Sequence, residues 1–198
     1  MNRSTYHIAT VIISLSILVI AGCAVTPPPT YFQLEEQANL QLSGIERGVA
    51  VGVGPLNLPS YLDRPQIVTR ATEHQLALSE FNRWAEPLKE SMLRVIAVNL
   101  SNKLESTRVF GVPRRSSGVQ LVFKVEINVA RFDGRLGGEV LLVARWILTD
   151  QESQVISTKV SIIREQSSGD GYDALIQAQN KTLKMLSEEI AEAIRSHS

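Results

Sequence analysis

Cys23 is the only cysteine in the 198-residue sequence, and its thiol is the most reactive side chain on offer. It follows Ile20-Ala21-Gly22. An aliphatic residue, two small residues and then cysteine is the pattern of a bacterial lipobox. The chemistry explains the spacing. The thiol accepts a diacylglyceryl group, and the small residues let the chain enter the cleft of the peptidase that cuts before the cysteine. Upstream, Arg3 supplies a positive start, and Ile8 to Ile20 is an apolar run broken only by Ala9, Thr10, Ser14 and Ser16. That is the composition of a signal peptide. The run is shorter than the roughly 20 apolar residues that a spanning helix needs. An uncleaved anchor with an incidental cysteine is the competing reading. The expected organisation is a signal peptide over 1–22, a lipidated cysteine and proline tether over 23–30, and one domain over 31–198. Residue 24 is Ala rather than Asp, which favours the outer membrane, with the domain facing the periplasm. Pro27-Pro28-Pro29 favours extended polyproline II at about 3.1 Å per residue, which keeps the domain within about 20 Å of the bilayer.

Other chemistry has little to work with. Only His74 and His197 follow the signal, one in an expected turn and one next to last. A histidine-based triad would have to use one of them. A zinc site takes about four N, S or O ligands, and with no free thiol it would have to be nearly all carboxylate. No cluster of that kind is evident, so neither a metal nor a cofactor is expected. Gly48, Gly52 and Gly54 superficially resemble a phosphate loop, but no Gly-Lys-Ser/Thr follows. Beyond the signal the chain carries one more acidic than basic residue. That charge offers no footprint for nucleic acid and no basic patch for anionic lipid.

Four further residues have two readings each. Asp63 and Arg64 could pin a proline-rich connection through local hydrogen bonds and an ion pair, which contributes only about 0–1 kcal/mol when exposed. With Tyr61 they could instead form a docking epitope, since Tyr and Arg are enriched at interface hot spots. Trp84, four residues before Leu88, reads as core at the head of a helical stripe, with the docking motif as the alternative.

The elements that must position these residues follow from periodicity. Tyr31 to Leu34 and Gly48 to Val53 read as short strands, the second with glycines that suggest close approach or a bulge. Gly54 to Pro65 reads as a stiff, turn-rich connection. Gln66 to Arg70 and Gln75 to Leu78 read as strands joined by a turn. Leu88, Met92, Ile96, Leu100 and Leu104 repeat every four residues, which predicts a helix over 87–104. Three long strands are expected over 120–130, 139–149 and 155–165, the last carrying Ile156, Val160 and Ile162. Short connections make them an antiparallel meander. A final helix runs from about residue 170 to 196, with Ile176, Leu183, Leu186, Ile190 and Ile194 as its apolar stripe. The fold class is α+β: an antiparallel sheet with two helices packed on one face. An exposed sheet edge could mediate self-association.

Two segments carry a resemblance. The first runs from Leu58 through Tyr61-Leu62-Asp63-Arg64-Pro65 to Arg70. The second is Phe81-Asn82-Arg83-Trp84-Ala85-Glu86-Pro87-Leu88. In that order, after the lipobox and Tyr31-Phe32-Gln33-Leu34, they resemble the ABC-type transport auxiliary lipoproteins, over essentially the whole chain beyond the signal. The resemblance implies a non-enzymatic subunit of a trans-envelope lipid transport system. It also implies an MCE-domain protein and its inner-membrane transporter as partners, docking at the outer membrane, support of membrane integrity, and assembly as a homo-oligomeric ring. Two other readings compete: an assembly lipoprotein of the envelope unconnected with lipid flow, and a periplasmic hydrolase with an unrecognised site.

Overall fold

The computed structural model describes residues 26–35, 48–112 and 119–198. Cys23 and the expected signal peptide lie outside them. Eight strands and two helices follow in chain order: β1 (Thr30–Phe32), β2 (Val51–Asn57), β3 (Gln66–Arg70), β4 (Leu76–Trp84), α1 (Leu88–Leu104), β5 (Val109–Gly111), β6 (Phe123–Gly134), β7 (Glu139–Asp150), β8 (Val155–Gln166) and α2 (Tyr172–Arg195). They form a five-stranded sheet ordered β5-β2-β6-β7-β8 and a three-stranded sheet ordered β1-β4-β3.

The α+β class and the two helices agree with expectation. The sheet does not. Only β6, β7 and β8 form the antiparallel meander. β2 runs parallel to both of its neighbours, β5 and β6, so the large sheet is mixed. Strands β1, β4 and β3 form a second sheet rather than joining the first.

The meander is built by alternation. On β6, Phe123, Val125, Ile127 and Val129 are buried, while Lys124, Glu126 and Asn128 on the other face are not. On β7, Val140, Leu142, Ala144, Trp146 and Leu148 face the same core. A bulge between Val129 and Arg131 then changes the phase of β6. The extra residue returns Phe132, opposite Leu142, to the helix-covered face and turns Arg131 and Asp133, opposite Val143 and Leu141, to the other.

β8 has its faces the other way round from its hydrophobicity. Ser161 and Ile163, opposite Ala144 and Leu142, lie under α2. Val160 and Ile162 face outward and are 46% and 62% exposed. Two ion pairs on the covered side explain how so polar a face packs: Lys159 with Glu189, at 2.8 Å, and Lys181 with Glu165, at 2.9 Å.

Both helices begin and end where local chemistry directs. Pro87 stands one residue before α1 and its carbonyl accepts the Ser91 amide. Proline fits there because its missing N–H would have no partner inside the helix. The end of α1 is a left-handed Glu105, after which the Ser106 amide donates to the Ser101 carbonyl. Leu88, Met92, Val95, Ile96 and Leu100 are buried, as the four-residue repeat requires. Helix α2 carries Asp173 in its first turn and Arg195 in its last, both favourable to the helix dipole. It packs over β7 and β8, while α1 lies beside it over β2 and β5.

Strand β2 is longer than its pattern implied. It passes through Gly54-Pro55 to Asn57 instead of ending at Val53. The Gly54–Pro55 bond is cis and the pairing with β6 shifts between Val53 and Leu56. Gly54 has φ +124°, and a Cβ there would sit 2.5 Å from the Val112 carbonyl oxygen. Only glycine accommodates both.

Candidate functional site: a buried carboxylate held by three side chains

The densest polar cluster among the described residues lies on the face of β6 turned away from the helices. Its centre is Asp133, whose side chain is fully buried. Arg70, the last residue of β3, grips it in a bidentate fork: Nε donates to Oδ1 at 2.7 Å and Nη2 to Oδ2 at 3.0 Å. Arg131, two residues earlier on β6, donates from Nε to Oδ1 at 3.1 Å. Tyr61, in the β2–β3 connection, donates its hydroxyl to Oδ2 at 2.8 Å. That connection is fixed locally. Leu62 is buried, its amide donates to the Pro59 carbonyl, and the Arg64 amide donates to the Leu62 carbonyl.

The electrostatics follow from the geometry. Burial alone would raise the Asp133 pKa. Hydrogen bonds from Arg70, Tyr61 and Arg131 outweigh it and hold the carboxyl below its ordinary value. Burial, then the hydrogen bond to Asp133, pushes the Tyr61 phenol well above its usual range. The hydrogen bond to Asp133 also raises Arg70. A carboxylate has about four lone-pair positions, and four N–H and O–H groups fill them here. Asp133 is thus neither a base waiting for a proton nor an open ligand, and the Tyr61 phenol is held in its protonated form. The arrangement is a clamp that ties the small sheet and the β2–β3 connection to the central strand.

A second cluster lies between β7, β8 and α2. The Trp146 indole donates to Ser161 Oγ at 3.0 Å, and Ser161 Oγ donates to Glu189 Oε2 at 2.6 Å, which also meets Lys159. Serine, carboxylate and lysine in contact suggest an activated nucleophile. Ser161 is only 2% exposed and lies under the helix, so no substrate reaches it. Among the described residues no group of three or more His, Cys, Asp or Glu is placed to hold a metal. His74 lies exposed in the β3–β4 turn and His197 lies beyond the end of α2.

The residues singled out from the sequence separate. Tyr61 belongs to the clamp. Asp63 and Arg64 are exposed, and among the described residues neither forms the ion pair expected of them. Trp84 is buried, but as the last residue of β4 and not on the helix; its amide donates to the Pro65 carbonyl at 2.7 Å. Residue type and spacing do not single out Asp133, Arg70 and Arg131 as a site. Asp133-Gly134 reads as turn punctuation, and Arg70 merely closes a motif. The available signal was Arg131-x-Asp133 at strand spacing, which puts opposite charges on one face.

Comparison with known proteins matches the geometry to a family. Residues 32–191 fit the model described as the ABC-type transport auxiliary lipoprotein component. The chain is 25% identical over 186 residues to the intermembrane transport lipoprotein PqiC of Escherichia coli K12, covering 93% of this chain and 96% of that one. The PqiC of Shigella flexneri matches equally. Two solved structures share the fold. One, of an uncharacterized protein, has a TM-score of 0.70 at 23% identity and covers 85% of this chain and 99% of its own. The other, a protein from Xanthomonas campestris, has a TM-score of 0.61 at 16% identity, with 82% and 92% covered. The family match takes in the five-stranded sheet, strands β3 and β4 of the small sheet, α1, all but the last turn of α2 and every member of the Asp133 clamp, and the chain belongs to the ABC-type transport auxiliary lipoprotein components.

Proposed function

We propose that this lipoprotein is a non-catalytic subunit of an intermembrane lipid transport system. It is anchored through acylated Cys23 in the outer membrane, faces the periplasm, and docks an MCE-domain protein and its inner-membrane transporter there. The end-to-end match to proteins named intermembrane transport lipoprotein carries this reading. The polar clusters support it, because each is closed on itself and neither opens to a substrate. Docking needs surface. Asp63 and Arg64, exposed beside a rigid clamp, offer one contact for the partner. The long edge strand β8, with Val160 and Ile162 outward, offers another, for a neighbouring copy in a ring. A ring multiplies modest contacts through effective concentration.

Co-purification from crosslinked membranes tests the reading. The full-length lipoprotein is expected to bring down an MCE-domain protein, and Arg64→Ala is expected to weaken that capture with no change in melting temperature. Failure of the wild-type protein to capture any MCE-domain protein sinks the transport assignment. Undiminished capture by Arg64→Ala removes Arg64 from the interface and leaves the assignment in place.

A further inference from the structure

We infer that the outer surface of the small sheet, around Tyr31 and Phe81, is a second membrane contact that lays the domain against the bilayer holding its acyl anchor. This inference rests on the lipid anchoring proposed above. The first argument is where the tether ends. Thr30, the start of β1, lies seven positions after Cys23, a span of about 22 Å at the polyproline II rise of about 3.1 Å per residue. Residues 26–29 are exposed and lead directly into β1. Thr30 pairs with Asn82 and Tyr31 with Arg83, so the tether enters the fold within a residue of Phe81.

The second argument is what stands there. Tyr31 is 60% exposed and Phe81 41%, although both belong to strands. Phe81 lies in an irregular stretch of β4. Between the pairs Gln66–Arg83 and Val68–Leu78 the register shifts, and the Asn82 amide turns back to Ser79 Oγ at 3.0 Å. The excursion pushes Phe81 outward. Neither aromatic is on a loose end. Phe32 packs its ring against Tyr172, at the start of α2, with centroids 5.9 Å apart, and its carbonyl accepts the Ala85 amide. Two rigid aromatics beside an arginine suit the membrane–water interface, where the ring body partitions and a guanidinium meets phosphate.

The third argument is mechanical. No helix among the described residues is long and apolar enough to cross a membrane. Acyl chains on one residue fix where the domain is held but leave it free to swivel about the tether. Tyr31 and Phe81, next to the pivot, remove that freedom and set which surface looks into the periplasm. The opposite end of the domain cannot serve. Glu165 pairs with Lys181 and Lys159 with Glu189, so β8 runs antiparallel to α2. That puts Val155 near the far end of a 24-residue helix, about 36 Å from its start.

The test uses the full-length acylated protein in phosphatidylethanolamine–phosphatidylglycerol vesicles whose acyl chains are brominated close to the headgroup. The native Trp84 and Trp146 are buried and give a constant background. Tyr31→Trp and Phe81→Trp are each expected to add emission that the brominated vesicles quench. Val155→Trp, 64% exposed in the native chain, is expected to add emission that they do not. Flotation of the same samples reports anchoring independently. Protein that floats with the vesicles while Tyr31→Trp and Phe81→Trp are quenched no more than Val155→Trp overturns the contact and leaves the anchor intact. Protein that does not float overturns both.

Discussion

Asp133 is the side chain on which most depends, because its charge is buried and fully spoken for. A charge of this kind is a weak source of net stability but a costly thing to disturb. Replacing Asp133 by Asn strips the counter-charge from Arg70 and Arg131, and at neutral pH it is expected to destabilise the fold by about 3–5 kcal/mol. The effect has a direction in pH. The folded carboxyl titrates below its ordinary value, which is about 3.9 in an unfolded chain. Its stabilisation is therefore complete above that value and is lost as pH falls through the lower, folded value. Denaturant titrations of wild type and Asp133→Asn should show a gap that is widest near neutrality and narrows below about pH 4. A gap that widens in acid would contradict the clamp. Tyr61→Phe removes one donor from an ionised acceptor and is expected to cost about 1.5–3 kcal/mol, at the lower end because the ring is only partly buried. Little of this was legible beforehand. Tyr61 stands out by residue type, yet its partner lies 72 positions away, and no local pattern connects them.

Elements were legible where a period runs long enough to be counted. Strands β6, β7 and β8 and both helices follow from spacing alone, and in β6, β7 and the helices the buried positions are largely those the period picks out. This yields a check on the faces. Phe123, 4% exposed, points into the core, and Phe123→Ala is expected to cost about 3–5 kcal/mol. Lys124, one residue on, pairs with Glu126 in a partly exposed contact, so Lys124→Ala should shift the denaturation midpoint little. The reverse order would mean the faces of β6 are exchanged. What was not legible has physical causes. Strand β5 is three residues long, too short for any period. Gly54-Pro55 reads as a stop, whereas a shifted pairing lets β2 continue through it. β8 misleads because its outward residues are the aliphatic ones, and ion pairs from α2 settle its covered face. Parallel pairing of β2 with β6 leaves no trace in either strand, since strand direction is a property of the pair.

At the scale of the molecule, the unpaired side of β8 is the most conspicuous invitation to association, for an exposed edge is a template for another strand. Ile162→Lys replaces an exposed side chain, so its own stability should change by no more than about 0.5 kcal/mol. If β8 closes a ring, the variant should run as a smaller species in light scattering; an unchanged mass clears this edge. The seating of β2 reaches further, into the order in which the molecule can be made. Its two neighbours in the sheet begin at residues 109 and 123, so both hydrogen-bonding sides of a valine-rich strand wait for chain not yet produced. Non-local pairing is slow to form because the intervening loop must close before any contact rewards it. The later half, a hairpin meander with α2 laid back over it, closes through near neighbours and can condense first. The later half is therefore expected to order ahead of β2. Until residue 123 and its successors arrive, β2 lacks its partner in the central sheet, and an unpaired valine-rich strand is open to premature association.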